Sequence, residues 1–371
     1  LAWWRLQCDL KMPTSGAGLE ELPIGHIFQN SGLGSFVGDL KHTSKSAMVS
    51  FRSSPYGSTS HAISNQNAFN TFYGGKPLFY SSGHHTAFVD LHAVMCHRAS
   101  RAHNTILADL SNQRIGTEGY GWIPRQYVGK RIGYILGDAS NAYGEVISPI
   151  WLERAKAAGF EFSKENGWRD AGVELFRRHI VWLDDIDALV VYDELRAESP
   201  IEWQYLLHTV KEPMALESLN DCEVITARNG KGESNAYLFS SGRLRCDTTS
   251  EFFVKADGWL KLDANGNPEQ YDDHYHFTAT TQSSKSYRFL TIVHTHSSKE
   301  VGLKPTVIDG SAIEFGGWRI EAELNPRKDA KLRVVSLDNT TAVSYKENDA
   351  TFVIEDGTEN ILYDKLPKLE I

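Results

Sequence analysis

The feature that most constrains this chain is a recurring texture. Short apolar or alternating runs are each closed by Gly, Ser, Asn or Pro. AMVSFRSS, NAFNTFYGGKPLFYSSG and AHNTILADL show it first. IEWQYLLHTV, CEVITAR, NAYLFSS, YRFLTIVHTH, TVIDGSAIEF and TFVIED repeat it. Period-2 alternation bounded by turn residues is strand chemistry. Gly74-Gly75, between NTFY and KPLFY, reads as a hairpin turn. FRRHIVWLDDIDALVVYDEL reads as two strands, 175–183 and 187–195, around the turn Asp184-Asp185. Only Ser148–Lys156 suggests a helix, with Ser148 as cap and Pro149 in the first turn.

Many strands and few helices predict an all-β chain: a large antiparallel β-sandwich with more than one sheet layer. Helix is expected in less than about a tenth of the chain. Residues 1–20 read as the last turns of a preceding helical domain and a linker, broken by Met12-Pro13 through Gly18. Residues 21–300 read as the sandwich. A soft boundary near 297–305 leaves 301–371 as a smaller terminal set of strands.

Composition narrows the function classes. A formal charge of −9 disfavours general nucleic-acid binding, which needs a basic face. No run of eighteen apolar residues occurs, so no helical membrane span is expected. The four cysteines (Cys8, Cys96, Cys222, Cys246) form no CxxC pair, which argues against a cysteine zinc site.

Histidine is unevenly spread. His84, His85, His92, His97 and His103 fall within twenty residues, with Arg98 and Arg101 among them. His61 precedes them by one hairpin, in SPYGSTSHAISNQN, beside Asn65, Gln66 and Asn67. One sheet edge would then gather imidazole, guanidinium and carboxamide groups and could hold an anion despite the acidic total. For any single His, a solvated loop is the plainer reading. Neither HxH nor HxxxH spacing occurs within 61–103, so spacing does not support a metal site there. Asp272-Asp273-His274-Tyr275-His276 is a second candidate with an HxH, read more simply as a polar strand entrance.

FRSSPYGSTSHAISNQNAF, GGKPLFYSSG and RAHNTIL, with the later FRRHIVWLDDIDALVVYDEL and WQYLLHT, resemble the C-terminal β-region of heparinase II/III-like polysaccharide lyases. That group includes heparin/heparan and alginate lyases. The resemblance implies an α/α-toroid preceding the β-sandwich, with the active-site cleft between them. It implies β-elimination at uronic acid residues of an acidic polysaccharide, in a periplasmic or secreted enzyme. The family loop reads His-x-His-x-Asp-Gln-Asn. His61 matches its first His, while Gln66 and Asn67 match its last two residues. Ile63 stands at the second His, usually a zinc ligand, and Asn65 at the Asp. Ser81 stands at a second ligand position, and only His103 is retained. The resemblance therefore implies that the family zinc is lost and that Asn65 helps hold the loop by hydrogen bonds.

The candidate catalytic residues are His61, His92, Asn65 and Gln66. His61 and a carboxamide would neutralise the substrate carboxylate, and His92 would be the base, with His84 and His85 as rivals. Tyr56, Asn67, His84, His85, Arg98 and Arg101 are the candidate substrate contacts. His97 is expected to be dispensable. The alternatives are a non-catalytic acidic-glycan-binding sandwich derived from a lyase, or a structural module.

Overall fold

The computed structural model describes residues 18, 22–256, 262–267, 271–309 and 312–366. The expected end of a preceding helical domain, 1–20, lies almost wholly outside the described residues. Among the described residues, 46% are in strands and 8% in helices. Its strands form four antiparallel sheets.

An eight-stranded sheet is the middle layer. Its strands run, edge to edge, Ala215–Ser218, Glu223–Asn229, Gly232–Ser240, Ser284–Ser297, Ala188–Ile201, Val173–Leu183, Ile132–Asp138 and Trp122–Val128. A five-stranded sheet (Gly25–Phe28 through Lys76–Pro77) and a four-stranded sheet cover one face. The four-stranded sheet orders Arg245–Thr249, Tyr275–Thr280, Trp203–Thr209 and Ile106–Ala108. A seven-stranded sheet, Thr306–Asp309 through Thr358–Leu362, covers the other face.

This layering explains why HIVWL and ALVVY are almost uninterruptedly apolar. Leu189 and Val191 enter the first core, with Phe36, Phe69, Trp203 and Phe289. Ala188, Val190 and Tyr192 enter the second, with Trp318, Leu332 and Val343. A strand buried on both faces has no side on which to alternate to polar residues. The Gly74-Gly75 hairpin forms as expected, with both glycines at positive φ (56° and 76°). The helix forms as Pro149–Ala157, with Pro149 in its first turn, but Ser148 makes no side-chain capping bond. Trp151 and Ala155 hold it against Val94, Met95 and Ile115 in a small third core.

One ion pair and one histidine–carboxylate hydrogen bond sit inside the layers. Arg178 and Asp193 face each other across neighbouring strands, both fully buried. Arg178 donates Nε to Asp193 Oδ1 at 2.7 Å and Nη2 to Oδ2 at 2.9 Å. Its Nη1 donates to the carbonyls of Asn67 (2.7 Å) and Asn104 (2.9 Å). One side chain thus fastens two loop segments to the middle sheet. On the opposite face, His179 Nε2 meets Glu194 Oε1 at 2.9 Å and His179 Nδ1 meets the Tyr134 hydroxyl at 2.9 Å.

The histidine-rich segment is not a sheet edge. Between Ser81 and Ile106 the chain makes irregular turns. These include a wide turn, Ala93–His97, closed by Arg98 N donating to Ala93 O at 2.8 Å, and a tighter one at Ser100–Ala102. The run AVMCHRASRA explains this: after Val94 it has no β-branched residue, and Ala, Met and Arg favour helical backbone.

Candidate functional site

A cleft of 580 Å³ opens where three segments meet: Ile63–Asn65, Tyr80–His84 and Tyr271–His274, with Lys211 beside them. The second histidine motif, DDHYH, therefore joins the first. Its polar character belongs to the cleft wall as well as to the strand entrance.

His84 is the best-placed titratable group. Its Nε2 lies 2.9 Å from Asp272 O, which can only accept, so the network assigns the proton to Nε2. Among the described residues, Nδ1 of His84 makes no hydrogen bond and keeps its lone pair. The imidazole lies 4.3 Å from the His274 ring and 4.8 Å from the Tyr271 ring. His274 supports the turn: its Nδ1 accepts from Gly83 N at 3.0 Å. Burial, aided by the charge of His84, pushes His274 down to about 3, so it stays neutral.

The other expected residues divide into three groups. Asn65 is on the cleft, with its Oδ1 accepting from Arg52 Nη1 at 2.8 Å. An aspartate could accept in the same way, so holding the loop does not require the amide. His97 also lines the cleft and is no neutral control. Burial, then the charge of His85, lowers it to about 4. The exposed ring of His85 stands edge-on to His97, 5.6 Å away.

A second group is structural. Gln66 is wholly buried. Its Oε1 accepts from Ser54 N at 2.7 Å and its Nε2 donates to Gly119 O at 3.1 Å. Asn67 adopts φ 56° and donates Nδ2 to Gly137 O and Phe176 O. Gln66 has no group left for a ligand; in Asn67 the Oδ1 makes no hydrogen bond, but it is buried out of a ligand's reach. His92 is 2% exposed, with Nδ1 at 2.6 Å from Val254 O and Nε2 accepting from His84 N at 3.0 Å. Both its nitrogens are committed, so it holds His84 in place and offers no lone pair as a base.

The third group lies away from the cleft lining. His61 is exposed and packs edge-on against Phe88, 5.3 Å away. Tyr56 is exposed at 52%. Arg98 is buried over Phe88, its Nη1 donating to Ser60 O and Ala62 O. It shapes the His61 loop from below. Arg101 stacks 3.8 Å over Phe253 beside a separate cavity of 360 Å³. It donates to Asn112 Oδ1 and Asn166 O.

The residues present do not fit the zinc that the resemblance implies. Ile63 offers hydrocarbon. Ser81 donates both N and Oγ towards Asn70 Oδ1, at 3.2 and 3.5 Å. His103 is wholly buried; with Nε2 on His97 O at 3.1 Å, only its unpartnered Nδ1 could ligate, one atom where a closed site needs about four. Among the described residues, no group of three or more His, Cys, Asp or Glu could hold a metal ion.

Reading the sequence missed Arg52, Lys211 and Tyr271 as site components. Asp272 and His274 carry a signal, the HxH motif, but within the sequence it points no further than its own strand. Nothing short of the fold brings Tyr271 to His84.

Several imidazoles here are buried and neutral. His97 and His276 are lowered to about 4, and His103 and His274 to about 3, with burial the leading cause. The unfolded chain binds these protons near pH 6.5, the folded chain only much lower. Their contribution to stability is therefore complete above about pH 6.5 and drains away as pH falls towards 4. We expect the melting temperature to fall steadily from pH 6.5 to 5, above most carboxylate titration. His276→Gln should flatten that fall by up to about 1.4 kcal/mol per pH unit. Thermal melts that are flat over this window would contradict it.

Among the described residues, no helix is long and apolar enough to cross a membrane. The chain matches the family model described as heparinase II/III-like, C-terminal, over residues 27–311. No curated protein sequence matches it. Among solved structures it is similar to a heparinase III gene product, at 14% identity and TM-score 0.59, covering 87% of this chain. It is also similar to the heparan sulfate lyase HepC from Pedobacter heparinus, at 13% identity and TM-score 0.51 over 93% of this chain. A further heparinase III structure gives 12%, 0.54 and 92%. In each case the chain spans 42% of the length of the solved protein. At these identities the likeness concerns the fold, whereas the family model covers most of the chain: this protein belongs to the heparinase II/III-like family and carries that family's C-terminal β-region.

Proposed function

We propose that this chain forms the β-sheet wall of a polysaccharide-lyase cleft, working with a preceding α/α-toroid domain on a uronate-containing polysaccharide. The polymeric substrate suits a periplasmic or secreted enzyme. The observation that carries the reading is His84: an imidazole pinned through Nε2 to a backbone carbonyl, with an unbonded Nδ1, on the wall of a cleft.

In this reading His84 Nδ1 takes the C5 proton of the uronate. Its orientation by Asp272 O is the base-and-orienter arrangement that general-base catalysis needs. The carboxylate on C5 accepts hydrogen bonds as negative charge spreads onto it. The free amide hydrogens of Asn65, on the cleft wall, serve as donors. The C4–O4 bond breaks, its electron pair leaves on O4, and a C4=C5 double bond forms. Tyr271, beside His84, is the candidate acid that protonates O4.

The test uses the protein with its helical portion. Heparan, alginate, hyaluronan and chondroitin are offered in turn, and the 4,5-unsaturated uronate is followed by ultraviolet absorbance. Product from at least one polymer is expected. Retention of an acidic glycan with no unsaturated product from any of them would instead favour the non-catalytic binding sandwich.

A further inference from the structure

We propose that Arg52 and Asn65 form a carboxylate-recognition pair, in which Asn65 touches the substrate and Arg52 is its positioning residue. The proposal rests on the acidic-glycan reading above and assigns the contact that reads the acid group.

The geometry is specific. Arg52 Nη1 donates to Asn65 Oδ1 at 2.8 Å and to Ile63 O at 3.3 Å, while Nη2 donates to Gly57 O at 2.6 Å. One guanidinium therefore ties both ends of the loop that carries His61. Because Oδ1 is committed to a cation, the Asn65 amide cannot flip. Its NH₂ is the group left over, and among the described residues it makes no hydrogen bond. Asn65 lines the cleft. The pair thus presents two N–H donors and no acceptor.

The charge is the second element. Arg52 has no carboxylate partner among the described residues, and burial alone holds its pKa down, to about 10. It stays protonated at neutral pH, uncompensated and partly desolvated. A cation bonded to the amide oxygen polarises the amide, strengthening its N–H groups as donors to an anion. An aspartate at position 65 would pair with Arg52, cancel its charge, and turn acceptor oxygens towards the incoming carboxylate.

The experiment measures binding, by calorimetry on the full-length protein, of a uronate oligosaccharide and of its carboxyl-reduced, neutral counterpart. The wild type should prefer the acid form by about tenfold or more, the worth of one hydrogen bond to a charged group. Asn65→Asp keeps the Arg52 bond, so its melting temperature should hold or rise, yet the preference should vanish. Arg52→Met should lose the preference with Asn65 still in place, and Arg52→Lys should restore part of it. In turnover the same variants should raise KM for the acidic polymer. Asn65→Asp binding the acid form as tightly as wild type, or a wild type that binds both forms equally, would overturn the pair. A wild type that shows the preference but forms no unsaturated product would sink the lyase reading and leave the pair standing. Product formation unchanged in Asn65→Asp would do the reverse.

Discussion

His84→Ala in the complete enzyme should lower the elimination rate by about two to four orders of magnitude, the usual worth of a positioned general base. The fold should survive, because the ring is only partly buried and its bond to Asp272 O lies at the surface. His92→Ala makes the informative comparison. That change removes an acceptor for His84 N and a contact with Val254 O, both in a buried setting. It should cost about 1–3 kcal/mol of stability and reduce rate only through the displacement of His84. His42→Ala is the control, since that ring is exposed and pairs with Asp39. A stably folded His92→Ala that loses more rate than His84→Ala would return the base role to His92.

Asp193→Ala should destabilise the protein by about 3–5 kcal/mol, because it strands a buried guanidinium. Replacing a buried ion pair by hydrocarbon is often neutral, but here the double change Arg178→Met with Asp193→Leu should remain costly. Arg178 also satisfies Asn67 O and Asn104 O, and each buried carbonyl left bare costs about 1–3 kcal/mol. Denaturant titrations of the single and double variants decide the point. A double variant as stable as wild type would show that water or a shifted loop takes over those carbonyls.

The strand architecture was legible because its causes are local. Alternation, the Gly74-Gly75 turn and the doubly buried runs each leave a mark within a few residues. The site was legible only in part. Asn65 and His84 were named from the segments that carry them. Gln66 and Asn67 were named for the same polarity, yet they bond inward to Ser54, Gly119, Gly137 and Phe176. A carboxamide written in sequence does not say whether its partners are backbone or ligand. His92 and His84 show the same ambiguity among imidazoles: eight residues apart, one has both nitrogens committed and the other one. The encounter of His84 with Tyr271 and Asp272 is set by tertiary pairing alone.

That pairing also governs how the molecule comes together. The four-stranded sheet beneath the cleft joins Ala108 to Trp203 and Thr209 to Tyr275. These two ladders close long loops, as do the pairings of Ala188–Ile201 and Gly232–Ser240 with Ser284–Ser297 in the middle sheet. Loop-closure entropy is met before such distant contacts give anything back, and chains wired in this way fold slowly. The sheet beneath the cleft and the middle sheet it packs on therefore both wait for distant segments to meet, and their strand edges stay unpaired until then. The cleft wall is thus assembled only when segments about seventy to a hundred residues apart have found each other, and it cannot bind anything before that.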